Sequence, residues 1–225
     1  MAKNSRWRAV LVVLILILPS LIYVALTTGK HNTDEMPIYG VKPDGSLHEV
    51  KSFSFQDQFG NQIDDQLMES HITVWSFYCP DCNDSLSRVA TLIKDVSDRF
   101  FDKKDIRFLS LNISDTIDQQ PIAEYIRPFG ALNDRWHYLN NSTEEAIEFA
   151  RESLLIGGAD YPLGLKEEQQ WATIVVVDKK GRIRGYADGI QYLSEKELID
   201  IIKYVRLEEY RANSKSRSEQ FERKR

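Results

Sequence analysis

The sequence predicts an α/β domain, a mixed β-sheet flanked by helices, and three features carry the prediction. Compact apolar runs rich in β-branched and aromatic residues, Ile72–Phe77, Ile106–Ile113 and Thr173–Val177, read as buried strands. Amphipathic helical patterns stand between and after them; the clearest places Leu86, Val89, Ala90, Ile93 and Val96 at spacings of three and four. The order strand, helix, strand, helices, strand, strand, helix is the order of a mixed sheet with helices on both faces.

Composition narrows the class of protein. The chain has 225 residues, 42% hydrophobic and 28% charged, enough for one domain with a proper core plus appendages. A net charge of -5 gives no reason to expect a nucleic-acid partner. Two cysteines, Cys79 and Cys82, are too few for a disulfide scaffold and read as a redox pair or half of a metal site.

Taken in order, residues 1–8 carry Lys3, Arg6 and Arg8 and precede an uncharged run from Ala9 to Thr28. About 20 apolar residues at 1.5 Å each span a bilayer of roughly 30 Å, so 9–28 is expected to be a transmembrane anchor. A cleaved signal peptide is the alternative, but the stretch exceeds a usual h-region and Tyr23-Val24-Ala25 fits a small-x-small cleavage site poorly. The basic residues lie ahead of the run, which keeps 1–8 cytoplasmic and sends the rest outside. A tether is expected over 29–52, from its glycines, prolines and lack of periodicity, and the folded domain over 53–206. A small hairpin is expected at Phe53–Asn61, helices at 81–100, 122–129 and 142–155, a loop at 157–170, and a turn at Asp178–Gly181 leading to a strand at 182–186. Ser142 is a candidate cap, with Glu145 three residues on. A capping-box pattern opens a last helix at Ser194, and 207–225 is a charged tail, read as a frayed helical extension or a disordered segment, to which no function is assigned.

The chemistry concentrates in Thr73-Val74-Trp75-Ser76-Phe77-Tyr78-Cys79-Pro80-Asp81-Cys82. A Cys-x-x-Cys at a strand-to-helix junction in such a sheet is the thioredoxin-like arrangement. At a helix start the free amides and the dipole favour a thiolate, so Cys79 is the expected exposed nucleophile and Cys82 the resolving thiol. Pro80 fits a first helical turn, where its missing N–H costs nothing. Asp81 places a carboxylate between the sulfurs and opposes the thiolate, which makes the pair a reductant. Trp75, Phe77 and Tyr78 are expected to be core or cysteine-flanking packing rather than a ligand pocket, with Tyr78 shielding the disulfide. A plain structural disulfide is the bland alternative. Two cysteines cannot build a four-cysteine zinc site, and His31, His48, His71 and His137 show no paired spacing. Asp64, Asp65, Asp115 and Asp118 read as solvated loop carboxylates.

At this point the sequence resembles the Sco/SenC family, membrane-anchored thioredoxin-fold proteins that assist copper-site assembly in cytochrome c oxidase. The residues that carry the resemblance are Leu18-Pro19-Ser20-Leu21-Ile22-Tyr23, Phe55-x-Asp57-Gln58-x-Gly60, Phe108-Leu109-Ser110, Arg135-Trp136-His137-Tyr138-Leu139 and Val177-Asp178-Lys179-Lys180-Gly181-Arg182-Ile183-Arg184-Gly185-Tyr186. The resemblance implies a copper site built from a Cys-x-x-x-Cys and a histidine. Here the cysteines are one residue closer, and Gln170 stands where the family histidine would be. Cys79 and Cys82 are then the only metal ligands left, and Gln is a poor third ligand for Cu(I). The cysteine segment is also similar to thiol reductases of the TlpA/ResA type, in which a tryptophan lies four residues before the first cysteine, as Trp75 does. Ala172 occupies the position of their cis-proline.

The function expected from these readings is an anchored thiol-disulfide oxidoreductase of the bacterial inner membrane, with its soluble domain in the periplasm. It needs no cofactor and reduces an extracytoplasmic cysteine pair, an oxidase copper subunit being the partner the resemblance implies. The alternatives are a copper metallochaperone holding Cu(I) through Cys79 and Cys82, and a member that keeps the fold as an interaction module.

Overall fold

The computed structural model describes residues 36–80, 85–114, 124–129, 134–159 and 161–222, together with Trp7 and Ile17–Pro19. Of two compact units, Met1–Glu35 and Met36–Arg225, the second carries the sheet. Among the described residues no helix is long and apolar enough to cross a membrane. The expected anchor at 9–28 lies outside them, apart from the helical Ile17–Pro19.

A two-stranded antiparallel ribbon, β1 (Ser54–Gln56) and β2 (Gln62–Asp64), opens the ordered elements and is followed by a short helix α1 (Gln66–Ser70). The main sheet holds β3 (Ile72–Tyr78), β4 (Ile106–Asn112), β5 (Trp136–Leu139), β6 (Thr173–Val177) and β7 (Ile183–Asp188) in the order β5-β4-β3-β6-β7. β3, β4 and β5 run parallel, while β6 and β7 are antiparallel to their neighbours. Helices α2 (Ser85–Arg99), α3 (Thr143–Glu152) and α4 (Ser194–Glu222) complete the fold. All seven residues of the central strand β3 are buried, as a strand covered on both faces requires.

Alternation along the strands sorts the core into two layers. Ile72, Val74 and Tyr78 share one with Val89, Ile93 and Val96 of α2 and Leu198, Ile202 and Val205 of α4. Trp75 and Phe77 share the other with Phe53, Phe55 and the α3 residues Ala146, Phe149 and Ala150. α4 passes so close to β7 that a Cβ on Gly185 would lie 2.8 Å from Ile201 Cγ2. Ser142 caps α3, its Oγ accepting from Glu145 N at 3.3 Å.

Several expectations meet differences here. β5 is a strand, although no alternation marks it. Its edge is covered by Gln58, whose Nε2 donates to Trp136 O at 3.0 Å and whose Oε1 accepts from Tyr138 N at 2.8 Å; a side-chain amide thus takes the place of a sixth strand. The span 157–170 ends in a 3-10 helix, Glu167–Ala172. Of the two readings of the tail, the described residues take the helical extension, since α4 continues unbroken to Glu222. Within the span read as tether, residues 36–52 lie along β7: Tyr39 N donates to Ile183 O at 3.0 Å and Val50 N to Gly181 O at 2.8 Å.

The motif Phe55-x-Asp57-Gln58-x-Gly60 also builds a buried polar pair. Asp57 accepts from the amides of Phe59 and Asn61 at 2.9 and 2.8 Å, and His137 Nδ1 lies 3.1 Å from its Oδ2. Burial pushes the Asp57 carboxyl up, but the bonds from Asn61, His137 and Phe59 outweigh it and hold the group below its ordinary value. A depressed folded pKa gives stability that is present above the unfolded value of about 3.9 and lost as pH falls through the folded one. The wild type is therefore expected to exceed Asp57→Asn in urea midpoint at pH near neutrality, and the gap should close below pH of about 4. A gap independent of pH would show that the carboxylate charge contributes nothing.

Candidate functional site

β3 ends at Tyr78 and delivers Cys79 to the edge of the apolar core, where it packs in one layer with Tyr78, Leu86, Ile126 and Ala172. Cys79 is in a disulfide, and the chain contains one other cysteine, Cys82. Asp81 and Cys82 lie outside the described residues, so the expected helix start at 81 does too; α2 is described from Ser85. Pro80 is half-buried.

Cys79 differs from the exposed nucleophile expected, being only 4% accessible. The cause is its position directly after a strand with both faces covered, with Ile126 of the helical residues 124–126, the described start of the helix expected at 122–129, and Ala172 just before β6 closing around it. Tyr78 is likewise fully buried and lies against a second and a third tyrosine. Its ring stacks on Tyr125 with centroids 5.7 Å apart and meets Tyr138 edge-on at 5.1 Å. Trp136 stacks on Tyr138 at 5.1 Å, and Phe129 flanks Tyr125 at 5.5 Å. This aromatic wall was not read from the sequence as part of the site. Tyr125 and Tyr138 reach Tyr78 only because β4 and β5 are added to the sheet on that side.

Trp75, read as core or cysteine-flanking packing, is core and belongs to the opposite layer. It packs on Phe53 and Phe149 with centroids 5.1 Å away in each case, and its Nε1 donates to Thr73 Oγ1 at 3.0 Å. One strand residue from Tyr78 to the next faces alternate sides, so a residue three before Tyr78 faces away from it.

Ala172, read as standing at the cis-proline position, ends the 3-10 helix just before β6 and shares a core layer with Cys79. No cis peptide bond occurs among the described residues. The Ala172 carbonyl is closed off by Gly189, whose N–H donates to it at 2.9 Å; a Cβ on Gly189 would sit 2.7 Å from that oxygen. Its neighbour Trp171 packs against both core layers and meets Phe77 edge-on at 5.4 Å.

Gln170 turns to the loop before it. Its Nε2 donates to Leu165 O at 3.3 Å, and its Oε1 lies against Gly157, where a Cβ would come within 2.5 Å. Gly157 has φ +70, a conformation suited to glycine, so the loop is shaped to receive this amide. The donor set therefore does not fit a copper site of two thiolates and an imidazole: position 170 offers a hard amide oxygen committed to packing. Among the described residues no group of three His, Cys, Asp or Glu could hold a metal ion. Each described histidine has another partner. His48 Nε2 lies 2.8 Å from Ser153 O, His71 Nδ1 2.8 Å from Leu67 O, and His137 bonds Asp57.

A mixed sheet with a disulfide cysteine at the end of its central strand and helices on both faces is a thioredoxin-like fold. Solved structures with a similar fold include Sco proteins. BsSco, a member of the Sco family of cytochrome c oxidase assembly proteins in which a disulfide switch was identified, is 18% identical over 70% of this chain and 93% of its own, with a TM-score of 0.57. A SCO1/SenC family lipoprotein from Bacillus anthracis str. Ames is 17% identical over 70% and 95%, with a TM-score of 0.57. ScoI of Bradyrhizobium japonicum, with copper bound, is 16% identical over 69% and 99%, with a TM-score of 0.52. At these identities the likeness is one of fold. No protein-family model and no curated protein matches the chain.

Proposed function

We propose that this chain is a divergent protein of the Sco/SenC type that acts as a membrane-anchored thiol-disulfide oxidoreductase outside the cytoplasm. The observation that supports it is the pairing of a disulfide cysteine at the end of β3 with a Gln170 side chain bonded into its own loop. The fold keeps the sulfur and fills the third-ligand position with packing. In the proposed reaction the Cys79 thiolate attacks a disulfide of the partner, forming a mixed disulfide and releasing one partner thiolate. Cys82 then attacks Cys79, forming the intramolecular disulfide and releasing the second thiol. Two electrons pass to the partner, and an external dithiol must reduce the pair for another cycle. The uncharged run 9–28 supplies the anchor in this reading. The Sco fold points to a cysteine pair of an oxidase copper subunit as the partner. Asp81 makes the couple more reducing than glutathione.

The second reading, a chaperone carrying Cu(I) on Cys79 and Cys82, draws on copper-bound ScoI having the same fold. One experiment separates the two. The reduced full chain in detergent is titrated with Cu(I) against a competing chelator, and its oxidised form is equilibrated in glutathione buffers. Reversible dithiol exchange, a potential below that of glutathione and weak copper binding are expected. Stoichiometric Cu(I) retention with no exchange would replace the oxidoreductase reading by the chaperone.

A further inference from the structure

The end of the chain takes no part in the thiol chemistry, and its charge sets it apart. From Tyr210 onward it carries six basic residues, Arg211, Lys215, Arg217, Arg223, Lys224 and Arg225, against Glu219 and Glu222. That balance of +4 stands in a chain whose net charge is -5. The turn of α4 just before it is tied to the domain: Arg206 Nε donates to Asp105 Oδ2 at 2.8 Å, Glu208 pairs with Arg184, and Glu209 Oε1 accepts from Lys179 N at 3.2 Å. Residues 210–214 are all exposed, and α4 runs on to Glu222, roughly 20 Å further at 1.5 Å per residue. Tyr204, Leu207 and Tyr210 are exposed as well, and their spacing of three puts them in one stripe. Aromatic and leucine side chains beside Lys and Arg on a helix are the pattern of an interfacial helix, which adds apolar burial to attraction for anionic lipid.

We infer that the distal part of α4, from Tyr204 to Glu222, docks on the anionic lipid headgroups of the membrane that holds the chain. The inference takes its lipid surface from the anchored reading and does not depend on the redox chemistry. The place where the chain enters the domain favours lipid over other acidic partners. Met36 N donates to Glu208 Oε1 at 2.6 Å, and Met36 O accepts from Arg184 Nη2 at 3.0 Å, so the entering chain is fixed to α4 where its exposed part begins. Met36 lies eight residues after Thr28, the end of the expected anchor, a reach of at most about 29 Å. The basic helix is thereby held within a short distance of the surface its charge suits. A second copy of the same helix would set like charge against like. Each Lys or Arg brought to an anionic surface strengthens binding about fivefold.

The test uses the full chain reconstituted in phosphatidylcholine vesicles with and without phosphatidylglycerol. A fluorophore is attached through Asn213→Cys, an exposed position, while Cys79 stays in its disulfide, and a nitroxide on the lipid headgroups quenches it on contact. Strong quenching is expected with phosphatidylglycerol and little without it, and about 1 M salt, where the screening length falls to about 3 Å, should abolish it. Replacing Arg211, Lys215 and Arg217 together by Gln should weaken docking about a hundredfold, with dithiol exchange and the thermal midpoint unchanged. Equal quenching in the two kinds of vesicle, or none in either, would overturn the inference. Energy transfer between donor- and acceptor-labelled chains without quenching would assign the helix to a second copy instead. Release of the chain by alkaline carbonate would overturn the anchored reading alone, since quenching before the wash still reports the helix.

Discussion

Asp178→Ala is expected to destabilise the domain by about 3–5 kcal/mol, the usual cost of leaving a buried charge without its partner. Asp178 and Arg184 are 1% and 3% exposed. One Asp178 oxygen accepts from the amides of Lys180 and Arg182 at 3.0 and 3.1 Å, and the other from Arg182 Nε and Arg184 Nη1 at 2.9 and 3.2 Å. Arg184 continues to Glu208 on α4 and to the carbonyl of Met36. A single carboxylate thus ties the β6–β7 turn, the last helix and residues 36–52 together. Against a total stability of about 5–15 kcal/mol the loss is large, and should lower the thermal midpoint by roughly 10 °C for a domain of this size. Arg182→Ala, which removes a partner with a 21% exposed side chain, should cost less than about 1 kcal/mol. Equal losses in the two variants would mean the buried pair carries no special weight. The antiparallel pair Thr73↔Val177 puts this network at the start of β3, far along the strand from Cys79, so the surviving fraction of Asp178→Ala should exchange disulfides normally.

How legible the chain was depends on where each element takes its stability. Strands β3, β4 and β6 announce themselves because their residues are apolar and β-branched at the centre of the sheet. α3 shows itself through Ser142, whose cap forms as the spacing to Glu145 suggests. β5 gave no such signal: Trp-His-Tyr-Leu has every residue buried, so no alternation marks it, and its edge is completed by Gln58, about 80 residues earlier. Residues 36–52 read as a linker for a related reason. They are held by backbone bonds to β7 and by a few anchors, such as Tyr39 edge-on to Tyr186 at 5.0 Å, and neither leaves a period in sequence.

The site was half legible. Local spacing marked Cys79 and Ala172, which lie in one core layer. Of its two readings, core or cysteine-flanking packing, Trp75 takes the first, because a residue three before Tyr78 on a strand faces the other layer. Tyr125 could not be found locally: only the order β5-β4-β3 and the placement of the helical residues 124–126 bring it to Tyr78. The buried Cys79 follows from the same packing, since aromatic neighbours that shield a disulfide also restrict what can reach it.

That burial makes the roles of the two sulfurs testable. Cys82→Ser is expected to accumulate a mixed disulfide between Cys79 and a membrane-protein partner, and Cys79→Ser to accumulate none, with exchange in both variants lower by orders of magnitude. The first variant keeps the nucleophile and lacks the thiol that releases the product. Nonreducing electrophoresis of membranes, followed by identification of the trapped band, reads the result directly. A cysteine that is 4% exposed when oxidised can serve as nucleophile only if reduction frees it, because thiolate attack needs an open approach along the S–S axis of the partner. The reduced wild type should therefore be alkylated at Cys79 much faster than the oxidised structure's burial suggests. If Cys79→Ser trapped the partner instead, burial would govern and Cys82 would be the attacking sulfur. If neither variant trapped anything and both still folded, the pair would be a structural disulfide and the oxidoreductase reading would fall.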